Sequence, residues 1–323
     1  MTDDTLRPRT VLLDCDPGHD DAIALLLAQG SPAIDLVAVS TVAGNQTLAK
    51  VTRNAQAIAE AGGFSHVPIA QGSSRGLITE PFVAEEIHGD TGLDGPQLPP
   101  ARAQLDPRHG VNLIIDTVMS RPAGTVTLIA TGPLTNLALA VRLEPRMVER
   151  VREVVFMGGA ISGGNYTPVA EFNIAVDPEA AHVVVHENWD VTMVGLDVTH
   201  QALATPHVRT ALAAVGTRPA QIVGEMLDFY GAAYTESQGF EHPPVHDPVA
   251  VALVIDPSVL TVRRAVLDVS LAEGPTRGMT VADLRSPAPE GCRTRVAVGL
   301  DADRFWKLVV DALTRIGEPH QPE

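Results

Sequence analysis

The chain has 323 residues, with 39 acidic side chains against 23 Lys and Arg, a formal charge of −16. That surplus repels phosphate polymers and leaves no basic stripe along a nucleic-acid backbone, so nucleic acid is excluded as a partner. Apolar residues reach 45% while aromatics reach only 4%, which excludes disorder and asks for a core of Ala, Val, Leu and Ile, as where helices pack on a parallel sheet.

In chain order, short β-branched runs alternate with longer segments of helical period. A strand at 10–16 leads into a helix that starts near Asp20 and turns 22–28 to the core. A strand at 34–44 follows, then a helix over 45–62 with Thr47 as N-cap and Gly62 as its stop. Further strands are expected at 67–70, 126–130, 152–159 and 191–195, with helices around 133–142 and after Asp177. Three segments break the rhythm: 71–109, rich in Gly, Pro and charge; 158–176, glycine-rich and polar; and 236–248. Long loops in a compact α/β domain are functional or disordered, and ligands in open sheets bind beyond the carboxyl ends of the strands. Past 258, the segments 261–274 and 292–300 are expected as less regular, antiparallel strands, closed by a helix over 301–316.

This alternation predicts the α/β class, with an open, mostly parallel sheet, helices on both faces and the site at the carboxyl ends of the strands. No repeat or linker divides the chain, so one domain over 1–323 is expected. No apolar run approaches the roughly 18 residues of a membrane span, and no leader pattern stands at the N-terminus. With only two cysteines, Cys15 and Cys292, a cytoplasmic location and no membrane partner are expected.

The sharpest feature is the end of the first strand, where DCDPGHDD holds Asp14, Asp16, Asp20 and Asp21 within eight residues. Strand alternation puts Asp14 and Asp16 on one side. Asp20 and Asp21 fall at a helix start, where free N–H groups favour negative charge. One or two carboxylates there are ordinary capping. Four crowded together repel, and a buried cluster of that kind takes up protons or recruits a cation. The donors are hard oxygens with no cysteine cluster and no HExxH pair, so calcium or magnesium is expected rather than zinc. No phosphate-binding sequence accompanies the cluster: GxxxxGK[ST] is absent, and 158–165 has neither the lysine nor the GxGxxG spacing.

Two further segments matter. HDP, from His246 to Pro248, opens an apolar helix. Such a pair is ordinarily a cap, but if Asp247 reaches the same cation, His246 stands at the rim of the site as a proton donor. Glu171 to Asn173, with Asn165 upstream, offer a carboxylate and amides that suit a polyhydroxylated ligand.

Taken together, DCDPGHDD at 14–21, TVAGN at 41–45, IHGDTG at 87–92, ATGPLTN at 130–136, FMGG at 156–159, EFNIAVDPEAA at 171–181 and HDP at 246–248 resemble the calcium-dependent nucleoside hydrolases, the inosine-uridine-preferring group in particular. The resemblance covers nearly the whole chain. It implies that Asp16, Asp21 and Asp247, with the main-chain carbonyl of Thr131, hold calcium, and that Asp16 is also the general base for the attacking water. It implies ribose contacts from Asp20, Asn45 and Asn173, contacts to the 5′-hydroxyl from Asn165 and Glu171, and packing of Met157 on the sugar. His246 corresponds to the donor for the leaving base, and His88 to a mobile loop over it. On the base side stand Phe172, Tyr230 and Tyr234, with His242 as a candidate helper. The implied reaction is hydrolysis of purine or pyrimidine ribonucleosides with inversion at C1′, by a homodimer or homotetramer.

Two other readings share these residues. A magnesium-dependent phosphohydrolase of the haloacid-dehalogenase type also begins with a strand ending in DxD, but it needs a phosphate-binding lysine, and Lys occurs here only at 50 and 307. A non-catalytic protein that binds nucleoside or calcium would keep the same binding residues, and only the pairing of Asp16 with His246 leans towards catalysis.

Overall fold

The structure, a computed structural model, describes residues 7–102 and 104–316. Strand β1 (Arg9–Cys15) is followed by α1 (His19–Gly30), β2 (Ile34–Thr41), α2 (Leu48–Ala61), β3 (Ile69–Gln71), the single turn α3 (Glu85–His88), α4 (Gly110–Met119), β4 (Val126–Ala130) and α5 (Thr135–Leu143). Next come β5 (Val151–Met157), α6 (Phe172–Val176), α7 (Pro178–His186), β6 (Val191–Val194) and α8 (Leu196–Thr199). Three helices follow, α9 (Pro206–Val215), α10 (Arg218–Gln238) and α11 (Asp247–Ile255), before β7 (Leu260–Arg264), β8 (Val266–Val269), β9 (Thr280–Asp283), β10 (Thr294–Leu300) and α12 (Ala302–Ile316).

Eight strands form one sheet in the order β3-β2-β1-β4-β5-β6-β10-β7. Neighbours are parallel except β10 and β7. Alternation along β1 separates two cores. Val11, Leu13 and Cys15 pack with α1, α2, α11 and α12 on one face, and Leu12 packs with α4, α5 and α7 on the other. With both faces covered, β4 (VTLIA) is buried along its whole length, which is why it is apolar but for Thr127 and shows no exposed alternate face. The chain leaves β1 towards β2 on one side and returns through β4 on the other, so a crevice opens beyond the carboxyl ends of β1 and β4.

Some expectations shift in detail. Thr47 does sit at the N-cap of α2, yet its hydroxyl makes no capping bond. Gly62 ends that helix in a right-handed conformation (φ −89), and the left-handed residue is Gly63 (φ 71). The expected strand at 261–274 splits in two. β7 closes the main sheet antiparallel to β10, while β8 pairs with β9 in a separate antiparallel ribbon. α10 runs to Gln238, into the segment read as a loop from 236. Among the described residues no helix is long and apolar enough to cross a membrane.

Candidate active site

Asp16 lies just past the end of β1 and is wholly buried. Its Oδ2 accepts the backbone N–H of Asn45 at 2.6 Å, and its Oδ1 has no hydrogen-bond partner. Gly44 and Gly132 close on it from two loops, and a Cβ at either position would run into the carboxylate. This is the physical content of the glycines in TVAGN and ATGP.

Asp21, in the first turn of α1, accepts from the Thr131 hydroxyl at 2.7 Å through Oδ1, and from Gly18 N–H at 3.1 Å and Asn45 Nδ2 at 3.0 Å through Oδ2. Asp20 accepts from the His246 N–H at 3.3 Å. That bond ties α1 to the start of α11, where Asp247 joins the group. Asp20, Asp21 and Asp247 each place a carboxylate oxygen within 4.8 Å of the others, all buried. Burial first, then mutual repulsion, pushes Asp21 up to about 7 and holds Asp16 and Asp247 well above the usual carboxylate range. The residues fit a hard cation: the donors are all oxygen, they crowd one another, and Asp16 Oδ1 is buried with nothing to bind.

The fourth acid of the motif does different work. Asp14 Oδ1 accepts from the Ser40 hydroxyl at 2.5 Å and from Asn136 Nδ2 at 2.8 Å, pinning β1 to β2 and α5, and Asp14 is not among the residues that line the cleft.

The cleft itself is lined by Asp20, Asn45, Thr131, Met157, Asn165, Glu171, Asn173, His246 and Asp247, together with His88, Phe172, Tyr230 and Tyr234. Asp16 and Asp21 are not exposed to it. Glu171 caps α6, accepting Asn173 N–H at 2.9 Å through Oε1 and Gly159 N–H at 2.8 Å through Oε2. Burial raises it to about 7. Asn173 Nδ2 donates to the Thr131 carbonyl at 2.8 Å, and Asn165 Oδ1 accepts Phe172 N–H at 2.9 Å. Residues from five separate loops are thus held in one polar surface before any ligand arrives.

On the opposite wall, His246 Nδ1 lies 2.8 Å from the Thr199 hydroxyl and Nε2 lies 2.7 Å from the Tyr234 hydroxyl. Burial lowers its pKa to about 3, so near neutral pH the imidazole is uncharged and acts within a hydrogen-bonded chain. Tyr230 and Tyr234 pack with ring centroids 4.7 Å apart. His242, expected beside the base, instead faces a different groove with Arg209 and Asp228, because the chain turns at Pro243 and Pro244 before His246 enters the site.

Two residues that touch this wall carried no usable sequence signal. Thr199 reaches His246 only because the end of α8 and the start of α11 are brought together. His19 stands inside the first motif but had no assigned role. Its Nδ1 lies 3.1 Å from His88 Nδ1 and its Nε2 2.8 Å from the Asp94 carbonyl, and its ring stacks on Phe229 and Tyr230. Tyr166, Glu86, Ile87, Ser237 and Gln238 also line the cleft. Neither lysine does: Lys50 pairs with Asp90 at 2.8 Å and Lys307 with Asp311 at 2.7 Å. The phosphohydrolase reading therefore lacks its phosphate-binding cation.

A cluster of buried acids that could hold a metal ion, at the switch point of a doubly wound sheet and facing amides and a buried histidine, fits the class of α/β hydrolases. Residues 11–307 match the family model described as inosine-uridine preferring nucleoside hydrolase, and the chain belongs to that family. It is 54% identical to the inosine-uridine preferring nucleoside hydrolase of Leishmania major and 55% identical to that of Crithidia fasciculata, in each case over 97% of this chain and 99% of the relative. Among solved structures it is similar to the purine-preferring ribonucleoside hydrolase from Gardnerella vaginalis, with a TM-score of 0.89 and 32% identity over 96% of this chain and 99% of that one. The protein is an enzyme acting on N-glycosyl bonds.

Proposed function

We propose that the chain cleaves purine and pyrimidine ribonucleosides to free base and ribose, with inversion at C1′, Asp16 as general base and calcium as its metal. The observation that carries this reading is the buried oxygen cluster of Asp20, Asp21 and Asp247 beside the unpartnered Asp16 Oδ1. Asp16, Asp21, Asp247 and the Thr131 carbonyl would hold the ion, which when bound supplies a charge that anchors vicinal hydroxyls and acidifies a water.

Asp16 takes the proton of the attacking water. Asp20, Asn45 and Asn173 orient the ribose hydroxyls, Asn165 and Glu171 hold the 5′-hydroxyl, and Met157 packs against the sugar. Bond cleavage develops positive charge on the ribosyl ring and negative charge on the departing base. The buried carboxylates favour the first. The Tyr234 hydroxyl, bonded to neutral His246, gives its proton to the second and regains one from solvent once the base has left, while Asp16 releases the water's proton; Thr199 orients the imidazole. Relatives named inosine-uridine preferring support acceptance of both base classes, and the aromatic side of the cleft, with His88, Phe172, Tyr230 and Tyr234, is where a base would stack.

The same reading treats 1–323 as one domain and expects a cytoplasmic homodimer or homotetramer. The two free cysteines support the compartment. The test is ribose release from inosine and uridine by chelated protein with and without added calcium. Turnover that needs calcium is expected, whereas calcium-independent cleavage, or a bound nucleoside that stays intact, would overturn the reading.

A further inference from the structure

Outside the cleft, a second set of ligand atoms converges between α7 and the β8–β9 ribbon. His182 and His186 stand one turn apart on the same face of α7, and Asp268 faces them from β8. His182 Nδ1 lies 3.4 Å from Asp268 Oδ1, and His186 Nε2 lies 3.5 Å from the same oxygen. The two rings are 4.0 Å apart, and ligand atoms of all three residues fall within 4.8 Å of one another.

The arrangement is poor as a hydrogen-bonded cluster and good as a ligand set. His186 Nδ1 is 2.8 Å from the His182 carbonyl, which can only accept, so Nδ1 carries the proton and Nε2 presents its lone pair. His182 Nδ1 is sheltered from solvent with no hydrogen-bond partner. Separations of 3.4 and 3.5 Å are long for hydrogen bonds. They match the spacing of about 3.3 Å between neighbouring ligands around a tetrahedral ion with bonds of about 2.0–2.1 Å. The side chains stay partly open, so water can complete the coordination.

We propose that His182, His186 and Asp268 form a binding site for a divalent transition-metal ion, zinc foremost, that fastens the β8–β9 ribbon to α7. Two imidazoles and one carboxylate select zinc over calcium or magnesium, which prefer oxygen alone. The site's effect reaches the cleft through packing. In β9, the Thr280 hydroxyl donates to the Ala160 carbonyl at 2.6 Å and accepts the Ala160 N–H at 2.8 Å. Ala160 adjoins Gly159, whose N–H holds Glu171. An ion that binds only the folded ribbon therefore stabilises the turn behind Glu171 by mass action.

The test is calorimetric titration of zinc chloride into the full chain kept in excess calcium, paired with thermal unfolding. Wild type is expected to bind one zinc equivalent that His186→Ala and Asp268→Ala lose, and to gain about 3 °C in Tm that the variants do not. Extra calcium or magnesium is expected to leave Tm unchanged. Cobalt(II) provides a second readout: a visible absorption band in wild type that is missing in His182→Gln. Zinc isotherms or cobalt spectra that are the same in wild type and variants would overturn the proposal, as would a wild type that binds no zinc in excess calcium.

Discussion

Asp16 illustrates how a single carboxylate is prepared for its task. Gly44 and Gly132 pack directly against it, Asn45 holds one oxygen, and the other is left without a partner. Replacing it by Ala removes the proposed base while relieving repulsion among the acids, so kcat is expected to fall about 10²- to 10⁴-fold with no loss of Tm in the metal-free protein. A steady-state assay on Asp16→Ala with turnover near wild type would sink the assignment. His246 makes a different point. Because burial lowers it to about 3, no loss of activity should follow imidazole deprotonation as pH rises through its ordinary value of 6.5. The kcat profile is expected to hold to about pH 8, and a fall centred near 6.5 would show a charged imidazole acting as the acid. Since His246 and Tyr234 belong to one chain, His246→Ala and Tyr234→Phe are expected to lose similar activity, and the double variant little more. Multiplying losses would separate the two residues.

At the scale of elements, the segment carrying α3 is held to the start of α1 by His19, which bonds to His88 and to the Asp94 carbonyl. His19→Ala is expected to raise KM several-fold more than it lowers kcat, by about 1 kcal/mol of lost hydrogen bonding, and to speed proteolysis within 77–102. A change confined to kcat would move His19 into the chemistry. Elements built from local pattern were legible: β1, β4 and β5 follow from apolar runs of strand length, and α12 from its periodicity. The splitting of 261–274 into β7 and β8 was not, because both runs have the same local character and only the partners, β10 for one and β9 for the other, tell them apart. Gly62 does stop α2, but the left-handed turn falls on Gly63, since adjacent glycines are equivalent until the next turn is packed.

For the whole molecule, buried acids and buried histidines pull stability in opposite directions with pH. Asp14, Asp21 and Glu171 sit at about 7 in the folded state, above their unfolded values. They bind protons more tightly when folded, and their contribution is lost as pH rises through 7. His19 and His246, lowered to about 4 and about 3, act the other way, adding stability as pH rises towards 6.5. Above that point histidines are neutral in both states and the acids act unopposed. The Tm of chelated protein is therefore expected to fall between about pH 6.5 and about pH 8, and added calcium to flatten the fall. A chelated protein whose Tm rises over that interval would contradict the buried-acid account.

By itself the sequence determined the α/β alternation, the acid-rich end of β1 and the family, because hydrophobic period and short motifs are local properties of a chain. It also placed Asp16, Asp20, Asp21, Asn45, Thr131, Glu171, Asn173, His246 and Asp247 in one site through the resemblance of several motifs at once. Only the tertiary structure decided that Asp14 serves the strands rather than the cleft, that His242 faces another groove, and that Thr199 and His19 reach His246 and His88. Those outcomes depend on which strand ends and loops meet across the sheet. Contacts between residues as distant as Thr199 and His246 are set by packing, and no local pattern records them.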